Sequence, residues 1–453
     1  MHHHSVDIQW GNHDMLWMGA ACGSEACIFN ILGISVKYSN MEMLERGYGI
    51  SLRHLTNFAQ KTYADGGCFA PKVISAMDRE ISGTDSIARL YKAVLMIQFK
   101  LEGQAIMRNP SFCMEDRLLL DKIDYQNRSI TIGGVTYALE DCDFPTVDKN
   151  DPYRLTDEEQ EIVSELRTSF AHSPRLQEHM EFLYRVGSMY LCFNENLLYH
   201  GCLPMNEDGS FAELAIDGKM YAGRDLMDIL DQKSRFAWVN RKKGGEDQRK
   251  AVDLMWYMWC GKKSPLFGRD RMTTFERRFL ADESTWTEPK NAYYTYYNDP
   301  EVCDRLLREF GLQGPHCHII NGHIPVKSKK GESPIKGGGK LIVIDGGFSK
   351  YYQKTTGIAG YTLVYDSRGL YIVAHEPFVS FEKAIRENMD IHSTTEVENI
   401  LATKGQMRVS DCDKGVELRE QIRQLEMLIA AFECGLIKEN NRYRMVKVPL
   451  NNR

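Results

Sequence analysis

The chain has no run of about 18 or more apolar residues, the length a helix needs to cross a bilayer, so no membrane span is expected. Its first residues lack the charged and apolar blocks of a secretory signal peptide, and none is expected. Its 12 cysteines include no C-x-x-C pair, which excludes a zinc ribbon and a thioredoxin-type redox motif; reduced thiols in a cytoplasmic protein are expected. Cationic excess is also lacking. Lys and Arg number 56 against 62 Asp and Glu, for a net charge of -6, which argues against non-specific binding to nucleic acid or a membrane surface. There is no internal repeat and no low-complexity segment. What remains is ordinary globular material: 453 residues, 43% hydrophobic and 26% charged, long enough for two or three domains.

Residues 5–10 alternate weakly around Val6 and Ile8 and read as a short strand, followed by a turn at Gly11. A helix is expected to open at Asp14, whose carboxylate suits a helix N-terminus. Residues 15 to about 110 read as mainly helical, with breaks at Gly33, at Gly47 to Gly49 and at Gly66-Gly67. β-Branched runs around Gly133-Gly134 predict a hairpin over 128–138. Thr156 followed by Glu159 is a capping box, and a helix is expected from there to about Ala171, with a second after Pro174. The pattern then changes. "ENLLYHGCLP" (195–204), "HCHIINGHIPV" (316–326) and "GKLIVIDGG" (339–347) are short apolar strands that end in histidine or glycine. Residues 357–375 read as two strands, 247–260 and 299–310 as helices, and 413–436 as a long amphipathic helix that packs on the core or on another subunit.

Three of these strand ends carry metal-type ligands beside a glycine: Asn12-His13 after Gly11, His200 before Gly201, and His323 after Gly322. Glycine lets the backbone turn sharply and lets an ion approach closely. Strand ends of one sheet meet at one edge, so residues distant in sequence can converge there. This donor set fits hydrolysis of phosphate esters. Imidazole suits manganese, iron or zinc, an amide oxygen leaves the ion electrophilic, and a neighbouring unligated histidine can protonate the leaving alkoxide. Taken singly, each histidine fits a structural role at least as well.

The order Gly11-Asn12-His13-Asp14, then His200-Gly201, then Gly322-His323 is similar to that of the calcineurin-like metallophosphoesterases. At finer grain, "DIQWGNHDMLWMGAACGSEACI", "LLYHGCLPMNEDG", "SPLFGRDRMTTFER" and the block around His323 resemble the class III (Firmicutes-type) fructose-1,6-bisphosphatases, over essentially the whole chain from Ser5 onward. The resemblance implies an α/β fold, a four-layer αββα metallophosphoesterase sandwich with a large, mostly helical insertion. It implies hydrolysis of fructose 1,6-bisphosphate to fructose 6-phosphate in gluconeogenesis, at a binuclear Mn2+ site. Carried over residue by residue, Asn12, His200 and His323 match ligands of the second metal. His13 matches the general acid, with Asp14 beside it in the catalytic motif.

The superfamily pattern also places G-D-x-H and G-D-x-x-D-R-G ahead of G-N-H-[DE], and the ten residues before Gly11 contain neither. The expected fold is therefore N-terminally incomplete. It divides into a core remnant over 1–14, the helical insertion over 15–190, the second part of the core over 191–400 and a C-terminal helical segment over 401–453. At most one weakly held ion is expected. The alternative function is a non-catalytic remnant, or half of a split phosphatase that needs a partner chain.

Lys262, Arg269 and Arg271 flank "SPLFGRDR" and Lys327 follows His323. They suit the phosphates of a sugar bisphosphate, and equally a solvated basic loop. His316 and His318 imitate a metal pair but read as structural or surface residues. "IKGGGK" (335–340) fails the phosphate-loop spacing and reads as a turn into a strand. The expected partners are a small-molecule sugar bisphosphate and a second copy of the chain or a complementing N-terminal fragment, with no nucleic acid and no membrane.

Overall fold

The structure, a computed structural model, describes residues 5–72, 83–345, 347, 356–367, 369–378, 380–388, 393–396 and 407–437. The histidines at 2–4 lie outside these. The fold is mixed α/β, and the chain divides into two compact units: Met1–Gly360 with Pro377–Val379, and Tyr361–Glu376 with Ser380–Arg453. All 12 cysteines are free thiols. Among the described residues no helix is long and apolar enough to cross a membrane.

In the first unit the chain starts with β1 (Ile8–Gln9) and α1 (Asn12–Ala21). The helix opens two residues earlier than the sequence suggests. Asp14 is its third residue, and its Oδ2 accepts from the Gly11 N–H at 2.8 Å, closing the helix start from inside. α2 (Glu25–Lys37) follows, capped by Ser24. It packs mainly on α4 (Thr84–Arg108), as does α3 (Arg53–Thr62). The break expected at Gly33 does not occur. Gly33 lies inside α2, where an added Cβ would sit 2.9 Å from Gln98 Oε1 and 3.4 Å from Leu95 of α4. The glycine serves close helix packing there.

The predicted hairpin forms as β2 (Ser129–Ile132) and β3 (Val135–Ala138), with both turn glycines left-handed at φ 58° and 82°. The Thr156–Glu159 capping box forms and starts α5 (Asp157–His172); α6 (Pro174–Val186) follows. β4 (Gly187–Ser188) then pairs in parallel with β1. Trp10, fully buried, locks this pair by donating its indole N–H to the Leu183 carbonyl at 3.0 Å.

The main sheet of this unit has five strands. β5 (Tyr190–Phe193) and β6 (Asn196–Tyr199) form a hairpin at one edge. After α7 (Gly223–Val239), α8 (Glu246–Cys260) and α9 (Pro300–Glu309) comes β7 (His318–Asn321), which runs parallel to β6. β8 (Ile335–Lys336) and β9 (Leu341–Val343) complete the order β8-β9-β7-β6-β5, with β9 parallel to β7. The central strands β7 and β9 are buried throughout, as a parallel pair covered on both faces requires. Gly337, Gly338 and Gly339 all have positive φ and form the turn from β8 into β9. That is the turn expected of "IKGGGK".

The second unit contains a three-stranded sheet of β10 (Gly360–Asp366), β11 (Gly369–His375) and β12 (Ser393–Glu396), with α10 (Phe381–Glu387). α11 (Asp413–Glu433) confirms the long C-terminal helix; it packs on the turn Val409–Asp411, while Ile422, Leu425, Ile429 and Phe432 are exposed.

Candidate active site

β6 and β7 are adjacent and parallel, so their C-terminal ends lie at the same edge of the sheet, and the Gly322 N–H donates to the His200 carbonyl at 2.8 Å just beyond them. This brings His200 and His323, 123 residues apart, side by side. His200 Nε2 and His323 Nδ1 are 3.0 Å apart. His323 Nε2 lies 2.8 Å from the Phe267 carbonyl oxygen, which can only accept, so Nε2 carries the proton and Nδ1 offers a lone pair toward His200. The carbonyl thereby fixes tautomer and ring orientation, as an outer-sphere partner of a metal-ligating histidine does. Burial is the first cause that lowers both imidazoles, His200 to about 3 and His323 to about 4. At neutral pH both rings are neutral, the form that binds metal.

The glycines beside these residues act differently from what the sequence suggests. Gly11 has φ -93° and ψ 172°, an extended conformation open to any residue. A Cβ added there would lie 2.9–3.3 Å from three atoms of the His200 ring. Gly201 likewise leaves room for the Pro265 carbonyl, 2.5 Å from where a Cβ would be. The left-handed residue is His323 itself, at φ 66°. A non-glycine residue held there costs on the order of 1–3 kcal/mol, a strain characteristic of functional sites.

Gly11, which packs on the His200 ring, opens the helix that carries Asn12 and His13. Asn12 is 7% exposed. His13 is exposed, and its ring meets Trp259 edge to face with centroids 5.0 Å apart. Desolvation by the surrounding protein lowers the His13 pKa, and the Asp14 charge opposes that shift. Burial raises the Asp14 carboxyl, against the opposing effects of the Gly11 N–H and His13. The His13 charge is a minor further cause lowering both His200 and His323.

Among the described residues no three of His, Cys, Asp and Glu come together to hold a metal ion. The donors that converge are two neutral imidazoles, and Gly11, one residue before Asn12, packs on the His200 ring. With His323 Nε2 protonated, His200 Nε2 donates to His323 Nδ1 across the 3.0 Å gap, so the two rings are hydrogen-bonded to each other. The donor set fits one ion bound by neutral ligands.

Arg269 is close enough to lower the His323 pKa. Arg271 donates its Nε to the Thr287 carbonyl, and Lys262 is exposed; no contact among the described residues ties either to the histidines. Lys327 is exposed, just beyond His323. His318 is 2% exposed and bonded to Asn196, and His316 is on the surface, so neither takes part. The Phe267 carbonyl and Trp259 escaped sequence reasoning. A backbone carbonyl leaves no trace in residue identity, and an indole in an apolar helix reads as core.

The model of the Firmicute fructose-1,6-bisphosphatase family matches residues 1–434. The chain belongs to that family. Among its curated relatives, the class 3 fructose-1,6-bisphosphatase of Clostridium novyi is 52% identical over 446 residues, covering 97% of this chain and 66% of the relative. That of Clostridium beijerinckii is 51% identical over 443 residues, with 97% and 66% covered. The chain thus spans just under two thirds of the length of these curated family members. No solved structure matches it.

Proposed function

We propose that this family member hydrolyses fructose 1,6-bisphosphate to fructose 6-phosphate and phosphate, on a core of the αββα metallophosphoesterase type. The observation that carries the reading is the His200–His323 pair at adjacent strand ends, with Gly11, the residue before Asn12 and His13, packed on the His200 ring. The substrate follows the printed name of the relatives. Asn12, His200 and His323 would hold a Mn2+ ion; for His200 Nε2 to serve, its proton would have to leave the hydrogen bond it makes to His323 Nδ1. Bound there, manganese supplies positive charge against the phosphoryl oxygens and makes a water more acidic. The chain's own residues do the rest. The Phe267 carbonyl fixes the His323 ring by accepting a hydrogen bond from its Nε2–H. Protonated His13 would give its proton to the departing sugar oxygen; desolvation lowers its pKa, and the Asp14 carboxylate, itself held by the Gly11 N–H, partly offsets that. Trp259 holds the plane of the His13 ring.

Release of phosphate from fructose 1,6-bisphosphate with Mn2+ is the test. His13→Ala is expected to lower kcat by about 10²–10⁴-fold while leaving Mn2+ binding intact. An unchanged kcat removes His13 from the mechanism. One observation favours a second reading, in which donors from another chain complete the site: no third His, Cys, Asp or Glu joins the pair among the described residues. Absence of turnover by the chain with Mn2+ bound supports that reading against the first.

A further inference from the structure

Near the histidine pair in sequence and fold lies a group of cations that make no ion pair among the described residues. The segments around 269 and 290 run antiparallel, with Arg269 opposite Lys290. The Asp270 N–H donates to the Pro289 carbonyl at 2.9 Å and the Asn291 N–H to the Gly268 carbonyl at 3.0 Å, so the two side chains share a rigid base. Arg269 gives one Nη1 bond to the Glu288 carbonyl, and Lys290 Nζ lies 5.6 Å from the centre of the Tyr294 ring. Neither residue, nor Lys327, makes an ion pair among the described residues.

These charges feel one another. The Lys290 ammonium is lowered by partial burial first and then by Arg269 and Lys327, with Lys336 adding to the effect. One carboxylate opposes them, Glu332, and it is already engaged, with Oε1 on the Lys336 ammonium and Oε2 on the Lys327 N–H, both at 3.0 Å. The imbalance therefore centres on Arg269, Lys290 and Lys327. Arg269 links it to the reaction centre, two residues beyond the Phe267 carbonyl that anchors His323. A phosphate monoester supplies what such a group lacks: about two negative charges and three acceptor oxygens, suited to a guanidinium fork and to lysine point charges.

We propose that Arg269, Lys290 and Lys327 hold the second phosphoryl group of a bisphosphorylated substrate, the one that is not cleaved, and so set the preference for a bisphosphate over a simple phosphomonoester. The inference rests on the functional reading above and identifies a specificity residue, Lys290, that no motif marks. A substrate anchored at both ends gains orientation as well as affinity, since remote binding energy positions the reacting phosphoryl group.

The test is a ratio: kcat/KM for fructose 1,6-bisphosphate divided by kcat/KM for p-nitrophenyl phosphate, which has no second phosphate. In Lys290→Met this ratio is expected to fall by about tenfold or more, mainly through KM for the bisphosphate, with Lys290→Arg recovering most of the loss. A ratio equal to that of the unaltered protein overturns the inference while the functional reading stands. If the unaltered chain turns over neither substrate, that reading falls, and equilibrium binding of fructose 1,6-bisphosphate then decides the inference. Weaker binding by Lys290→Met, with the melting temperature retained, supports it; unchanged binding overturns it.

Discussion

Substituting Gly11 by alanine isolates the packing that holds the candidate site together. The backbone at Gly11 is extended, so alanine meets no conformational strain there. The whole effect comes from one methyl group aimed at the His200 ring, at 2.9, 3.0 and 3.3 Å from three of its atoms. Ordinary carbon contacts begin near 3.5 Å, so the ring must move by about half an ångström. It has little freedom to do so, since His200 Nε2 is bonded to His323, which in turn is fixed by Phe267. Overpacking of this kind costs about 1–3 kcal/mol, and displacing the ring should weaken Mn2+ binding and kcat/KM by roughly five- to 150-fold. Gly322→Ala is the matched control. Its Cβ would lie 3.6 Å from Asp345 Cβ and 3.7 Å from the His200 carbonyl oxygen, ordinary contact distances. Isothermal titration with Mn2+ and steady-state kinetics on both variants give the answer, with a urea melt to separate loss of fold from loss of site. The reasoning fails if Gly11→Ala binds Mn2+ like the unaltered chain, or if Gly322→Ala loses as much.

Two further outcomes concern stability. His318 is buried and lowered from 6.5 to about 4, chiefly by desolvation. Between those values the unfolded chain binds a proton that the folded chain does not, so stability is full above the unfolded pKa and falls as pH drops through the window, by about 3 kcal/mol in total. His318→Gln should reduce, without abolishing, the slope of the urea midpoint between pH 6.5 and 4, since His200 and His323 titrate in the same way; an unaltered slope contradicts the assignment. Lys100 and Glu159 are both fully buried and 2.6 Å apart. Lys100→Met should cost about 3–5 kcal/mol by stranding the carboxylate, and adding Glu159→Leu should recover part of it. Recovery is partial because Glu159 also accepts the Thr156 N–H. A single variant as stable as the parent in urea refutes the account.

Local order was largely legible in the sequence. The glycine pair of the 128–138 hairpin, the Thr156 capping box and the apolar runs ending at His200 and His323 each specify a structure through nearest neighbours, and each formed as expected. The reading failed at Gly33 because a glycine inside a helix carries two meanings, a break or a close approach, and only the facing helix selects between them.

The sequence by itself determined the candidate residues, Asn12 and His13 at a helix start and His200 and His323 at strand ends, each carried on a local element that its own neighbours dictate. The tertiary structure decided which of them meet and in what state. Parallel pairing of β6 and β7 sets the two imidazole nitrogens 3.0 Å apart. The Phe267 carbonyl selects the tautomer, and a missing methyl at Gly11 lets the helix start close on His200. Glu159 makes the same point inside the helical part, where a locally encoded capping residue becomes the buried partner of Lys100. Contacts between residues more than a hundred positions apart depend on how elements pack, and the periodicity within any one element carries no record of that.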